Sequence, residues 1–321
     1  MESLSILRSL TSVEGEHVRG QYYLHTGYRF VPGFPRPAMG SVVSHESRPG
    51  DVPRYVSLGS PGYGPAYMGP AHAPFSIENP QEAYDLMKRI RRLRRRIGLL
   101  QELGTRFDNA HPAEDLQRRR AMVTRIESLV STPFVETLNL DRESSRRRER
   151  YGDSEFGRSC LIAHRLLEAG VNFVEVHKDG WDTHQNNFRE TRELCAAIDQ
   201  PWAALMDDLR SSGLLDETVV LWLGEFGRTP NINAQRGRDH FPQVTPVVIG
   251  GGGIQGGQVI GKTNRTGMEI QDNAHSVADL FATVFTAMGI ASDTEFTTSF
   301  ASQTSATDDG KPISELSTVP R

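Results

Sequence analysis

The sequence predicts an α/β fold, a doubly wound and mainly parallel sheet, with an irregular and helical N-terminal half. Two patterns carry that expectation: helix and strand signatures alternate after Tyr151, and charged or imidazole side chains cluster directly behind the apolar strand runs. Length supplies the third, since 321 residues with 37% apolar content can close one large α/β domain or two smaller ones.

Residues 1–80 read as the loop-rich N-terminal part of the core. They hold little periodicity and much Gly, Pro and Tyr, yet Tyr55, Tyr63, Tyr67 and Phe75 are interleaved, which favours packed irregular structure over disorder. Residues 81–150 read as an Arg-rich helical insertion. Leu86, Ile90, Leu93, Ile97 and Leu100 make one apolar stripe, and Lys88, Arg89, Arg91, Arg92, Arg94, Arg95 and Arg96 fill the other faces. Glu82, Asp85 and Glu102 flank that cluster, so a solvated face is favoured over a polyanion-binding one.

Residues 151–321 carry the α/β pattern. Phe156, Cys160, Ala163 and Leu167 mark a helix closed by Gly170, and Val171 to Val176 is a strand. The loop to His184 follows, and then a long helix from about Asn187 to Ser212, broken or kinked near Pro201, with Phe188, Cys195, Ile198, Trp202, Leu205 and Leu209 inward. Thr218 to Leu223 has the composition of a buried strand. A Gly/Pro-rich loop runs from Gly224 to Phe241, then a strand covers Thr245 to Ile249. The glycines from Gly250 to Gly257 lack a phosphate-binding signature and predict a tight hairpin beside the site, returning as the strand Gln258 to Ile260. A last helix spans Val277 to Met288.

Composition excludes several function classes. A net charge of −4 gives no global field for nucleic acid or an anionic membrane, and no apolar run approaches the roughly 20 residues of a membrane span. The first residues lack the basic start and apolar core of an export signal. Cys160 and Cys195 both sit in helical patterns and read as buried thiols rather than a disulfide.

The chemistry concentrates behind the strands. Asp179, Asp182 and His184 follow one strand, Glu225 and Arg228 follow another, Asp239 and His240 share the same loop, and His275 precedes the last helix. Carboxylates with imidazoles suit zinc, manganese or iron. Spacing alone does not separate such a centre from hydrogen-bonded core residues.

The ordered motifs Gly-Trp-Asp-Thr-His184, Gly-Glu-Phe-Gly-Arg-Thr-Pro230, Gly-Arg-Asp-His240, the glycine run to Gly261 and His275-x-x-x-Asp279-x-x-x-Thr283 resemble the domain of unknown function 1501 family. Leu7-Arg-Ser9, Tyr22-Tyr-Leu-His-Thr-Gly27 and the Arg-rich helix ending at Leu100 extend the likeness over nearly the whole chain. The resemblance implies an alkaline-phosphatase-like or sulfatase-like core, and a divalent metal centre of one or two ions, zinc, manganese or calcium. In that reading Asp182, His184 and His275 form one ligand set and Asp239 with His240 the adjacent pair. Glu225 is an alternative ligand, with Asp239 and His240 then one shell out. Arg228 either holds a substrate oxyanion or pairs with Glu225. His17 and His25 can reach the site, although loop packing explains them equally.

Family members are expected to begin with a strand and a glycine-rich segment supplying the nucleophile, which this chain is expected to lack. Ser9, Thr11 and Thr26 do not replace it. The implied function is a metal-dependent hydrolase of phosphate or sulfate esters acting on a small or polymeric anionic ester. The alternatives are a noncatalytic binding protein or a truncated member of the family. Relatives are often exported.

Overall fold

The structure, a computed structural model, describes residues 2–92, 132–298 and 301–318. In chain order its elements are β1 (Leu4–Leu7), β2 (Leu10–Thr11), α1 (His17–Thr26), α2 (Met39–Glu46), β3 (Tyr55–Leu58), β4 (Phe75–Ile77), α3 (Pro80–Arg92), α4 (Thr132–Thr137), α5 (Ser145–Tyr151), α6 (Glu155–Glu168) and β5 (Phe173–Val176). There follow α7 (Asn187–Ser211), β6 (Val219–Trp222), β7 (Gly227–Arg228), β8 (His240–Phe241), β9 (Val247–Gly251), β10 (Val259–Ile260), β11 (Lys262–Thr263), β12 (Ile270–Asp272), β13 (His275–Ser276), α8 (Val277–Ala287), β14 (Glu295–Thr297) and β15 (Gln303–Ser305). The fold is mixed α/β. No helix among the described residues is long and apolar enough to cross a membrane.

The chain divides into two compact units. One comprises Met1–Met39, Asp179–Ala197 and Met206–Arg321. Its four-stranded sheet has the order β10-β1-β9-β6, with β1 parallel to β10 and antiparallel to β9, and β9 antiparallel to β6. Helix α8 buries Val277, Leu280, Phe281, Val284 and Phe285 in this unit, and its start is fixed by a capping box in which Ser276 and Asp279 satisfy each other's backbone N–H. Helix α1 begins where the Glu16 carboxylate accepts from the N–H groups of Val18 and Arg19, and ends at Gly27.

The second unit comprises Gly40–Lys178 and Ile198–Leu205. Its three-stranded sheet, order β4-β3-β5, is parallel throughout. The central strand β3 is buried along its whole length, as expected of a parallel strand covered on both faces. Val56, Leu58 and Ile77 from this sheet pack with Phe134, Leu138, Ile162 and Leu166 from the helices.

Several sequence expectations change here. Residues 1–80 are not loop alone: they supply two helices and four strands, among them the inner strands β1 and β3 of the two sheets. Short strands of four residues leave too little periodicity to read. The strands ending at Val176 and Trp222 lie in different sheets, and β6 and β9 run antiparallel. Strand β6 is an edge strand with Trp222 exposed, not a buried one.

The glycine run makes no hairpin, because β10 leaves β9 and pairs with the far side of β1. Gly250 lies opposite Leu4 at the start of β1, and a β-carbon on Gly251 (φ 86°) would stand 2.0 Å from the Thr218 carbonyl oxygen. Only glycine fits that crossing.

In α3 the inward stripe is Ala83, Tyr84, Met87 and Ile90, while Leu86 is exposed, because Val135 and Phe75 offer apolar contact to that face. Leu93, Ile97, Leu100 and Arg94 to Arg96 lie outside the described residues. Helix α7 is one helix with Pro201 inside it. Its stripe is buried at Ile198, Leu205 and Leu209, whereas Phe188 and Cys195 face solvent. Cys160 is buried, and that burial pushes its thiol up to about 12.

Candidate metal centre

Three segments of the first unit build the site: the start of α1, the loop before α7, and the loop from β6 to β8. His17 opens α1, so its ring position follows from the Glu16 cap. Asp182 and His184 lie two residues apart in a tight turn, where the N–H groups of Thr183 and His184 donate to the carbonyls of Trp181 and Asp182. That turn is anchored by Thr183, buried at 2% exposure, whose hydroxyl donates to Asn187.

The third segment is stapled onto the second. Arg238 N–H donates to the Thr183 carbonyl, Asn187 N–H to the Arg236 carbonyl, and the Asn233 amide to the His184 carbonyl at 3.1 Å. Gly237 makes the contact feasible, since a β-carbon there would meet the His184 carbonyl oxygen at 1.8 Å. Arg236 (φ 61°) and Asn186 (φ 49°) hold left-handed backbone on the two sides of this junction.

Each of three imidazoles is tethered through Nδ1. His17 Nδ1 meets Glu225 Oε1 at 2.7 Å, His184 Nδ1 meets Asp239 Oδ1 at 3.0 Å, and His240 Nδ1 meets the Gly15 carbonyl oxygen at 2.7 Å. Ionised carboxylates and carbonyls only accept, so every one of these Nδ1 atoms carries a proton. What remains is Nε2, and all three point at one carboxylate. His17 Nε2 lies 3.1 Å from Asp182 Oδ2, while His184 Nε2 and His240 Nε2 lie 3.1 and 3.2 Å from Asp182 Oδ1. The last two nitrogens are 2.9 Å apart.

Arg228 completes the group, its guanidinium 2.5 Å from Asp182 Oδ1. It pairs with Asp182 and not with Glu225. Partial burial pushes the Asp182 carboxyl up, but the bonds from Arg228 and His240 and the neighbouring charges outweigh it and hold it at about 2. His17 is raised, chiefly by its bond to Glu225. Asp239 is lowered by its bonds to Asn233 and His184.

His17, Asp182 and His240 each offer a ligand atom within 4.8 Å of the others, and together they form a group able to hold a metal ion. Around a tetrahedral zinc with bonds of about 2.0–2.1 Å, donor atoms stand roughly 3.4 Å apart. Contacts of 2.9–3.2 Å among Nε2 and carboxylate oxygens are close to that spacing.

A family profile described as protein of unknown function (DUF1501) matches residues 1–317. The chain belongs to this family. No curated protein matches it. Of the residues singled out in this DUF1501 chain, Asp182, His184 and His240 come together and His17 joins them. Asp239 and Glu225 stand behind the imidazoles that they orient. His275 stands apart: its backbone N–H donates to the Ser9 carbonyl, it pairs with Leu10, and its Nε2 is buried without a hydrogen-bond partner. His25 closes the far end of α1, two turns from His17. Asn233, which sequence reading does not single out, bonds both Asp239 Oδ1 and the His184 carbonyl; an Asn inside a Gly/Pro-rich loop gives no signal of such a bridge.

Proposed function

We propose that this chain is a metal-dependent hydrolase of phosphate or sulfate esters with an alkaline-phosphatase-like core. The observation that carries the reading is the convergence of three Nε2 atoms on the Asp182 carboxylate, with every Nδ1 already committed. The outer contacts from Glu225, Asp239 and the Gly15 carbonyl are the partners that metal-bound histidines use to fix tautomer and ring orientation.

The donors are three imidazole nitrogens and a carboxylate. That set suits zinc, manganese or iron and does not suit calcium, which takes six to eight oxygens. His17, Asp182, His184 and His240 would hold the ion. Bound there, it would polarise the ester and lower the pKa of a bound water. Asp182 stays ionised throughout the physiological range and draws Arg228 to the rim. From that position the planar guanidinium can take two oxygens of a phosphoryl or sulfuryl group.

The three hydroxyls that the first segment offers are not placed as nucleophiles among the described residues. Ser9 and Thr26 are buried, and the Thr11 hydroxyl donates to the His275 carbonyl. In this reading a water on the ion would be the attacking group.

The test is elemental analysis of protein exchanged into metal-free buffer, with the same sample assayed on phosphate and sulfate monoesters. Stoichiometric transition metal with turnover is expected, and His17→Ala with His184→Ala should abolish both. Full metal content in that double variant would remove the reading.

A further inference from the structure

Four aromatic rings meet at the centre, and one of them offers no ligand atom. Phe226, buried at 7% exposure, has its ring centroid 4.2 Å from that of His240 with planes inclined by 35°, and 5.3 Å from that of His17 with planes inclined by 45°. The His17 and His240 rings stand edge to face at 4.5 Å, and the His184 ring is 4.7 Å from that of His240. Phe226 therefore lies against two of the three imidazoles that converge on Asp182.

The backbone puts it there. In the β7–β8 pair Gly227 lies opposite Phe241 and Arg228 opposite His240. Phe226, two residues before Arg228, falls on the side of that ribbon that carries Arg228 and His240. The register is held by the Gly227 N–H, which donates to the Thr245 hydroxyl at 3.2 Å. On the other side, Gly20 lies one turn after His17 on α1, and a β-carbon there would stand 3.1 Å from Phe226 Cδ1. A bare backbone at that turn leaves the ring room to reach His17.

We propose that Phe226 is a positioning residue of this centre, whose ring sets the planes of His17 and His240 for ligation. This rests on the metal-dependent reading of the site. The single bond at each Nδ1 fixes the tautomer, but the last torsion of a histidine is broad and leaves the ring free to rock. Contact with the Phe226 ring removes that freedom while adding no donor. Favourable contacts between aromatic rings of this kind are together worth about tenfold in affinity.

The test is zinc affinity, measured by competition with a chromophoric chelator, together with the visible spectrum of the cobalt-loaded protein and ester turnover on the same samples. Phe226→Leu and Phe226→Met keep an apolar side chain and lose the ring. Both should bind zinc about tenfold more weakly than wild type and change the cobalt spectrum, which reports coordination geometry. Phe226→Tyr should retain both, which separates a lost ring contact from lost packing. Thermal melts verify folding, and the methionine variant carries the test if the leucine variant does not fold. Wild-type zinc affinity and cobalt spectrum in a folded leucine or methionine variant would overturn the role, as would an equal loss in Phe226→Tyr. Ring-dependent zinc uptake without turnover of any ester would keep the role and remove the hydrolase reading. Turnover with ring-independent zinc affinity would do the reverse, and no uptake of zinc or cobalt by the wild type would overturn both.

Discussion

Replacing Asp239 by alanine separates a metal ligand from a group that orients one. The Asp239 carboxylate sits 3.0 Å from His184 Nδ1 and also accepts from the Asn233 amide at 3.0 Å, so it faces away from the Nε2 side where ligation would occur. An outer carboxylate of this kind changes metal affinity by about 10–100-fold. With Asp239 55% exposed, solvent can replace part of the bond, and the lower end, about tenfold, is expected. Asp239→Asn, which keeps an acceptor oxygen, should lose less. The assay is competition for zinc against a chromophoric chelator at neutral pH, with thermal melts to verify folding. His184→Ala sets the scale for a removed ligand. Should Asp239→Ala lose zinc as completely as His184→Ala while folding normally, Asp239 is a ligand and the orientation argument fails.

Three further outcomes follow from the fold. Gly237→Ala drives a β-carbon into the His184 carbonyl, so it should cost more than about 2 kcal/mol and remove metal uptake with it, read by denaturant melts and metal analysis. Asp279→Ala removes the carboxylate that accepts from the N–H groups of Ser276 and Lys311, and should cost about 1 kcal/mol, or about 1–2 °C in Tm. Partial burial pushes the Asp279 carboxyl up, but those backbone bonds outweigh it and hold it below its ordinary value. Its contribution is therefore full above the unfolded pKa of about 3.9 and is lost as pH falls through the folded value, so the Tm gap between wild type and Asp279→Ala should close below about pH 4. A maleimide probe should label Cys195 alone in the native protein and Cys160 only after unfolding, because Cys160 is buried with its thiol pushed up to about 12.

What was legible in the sequence divides along physical lines. Helices α6, α7 and α8 were readable because each runs at least ten residues on one apolar stripe or ends at glycine. Strand content was readable after Tyr151 but strand partners were not: β5 and β6 look alike in sequence, yet one joins a parallel sheet and the other an antiparallel edge. Pairing depends on residues far away in the chain, among them β1 and β3, whose four-residue lengths carry almost no period. Leu86, Phe188 and Cys195 fit their stripes and are exposed nonetheless. A stripe says which face can be buried, and only the neighbouring elements decide whether anything covers it.

The same distinction explains the site. Asp182 and His184 are separated by one residue, and in a tight or extended segment such pairs share a side, so both reach the centre. Asp239 and His240 are adjacent at the start of β8, where successive side chains point to opposite sides. His240 therefore turns its Nε2 toward Asp182, and Asp239 turns away to the Nδ1 of His184. Both carboxylates were equally plausible ligands by residue type, and the parity of their spacing separates them. His17 had no such local cue, since it comes from a segment 165 residues from Asp182 and is recruited by the fold, with Glu225 holding its far nitrogen. Residue type thus nominates the donors, local parity assigns those within one loop, and long-range packing decides which histidine completes the set.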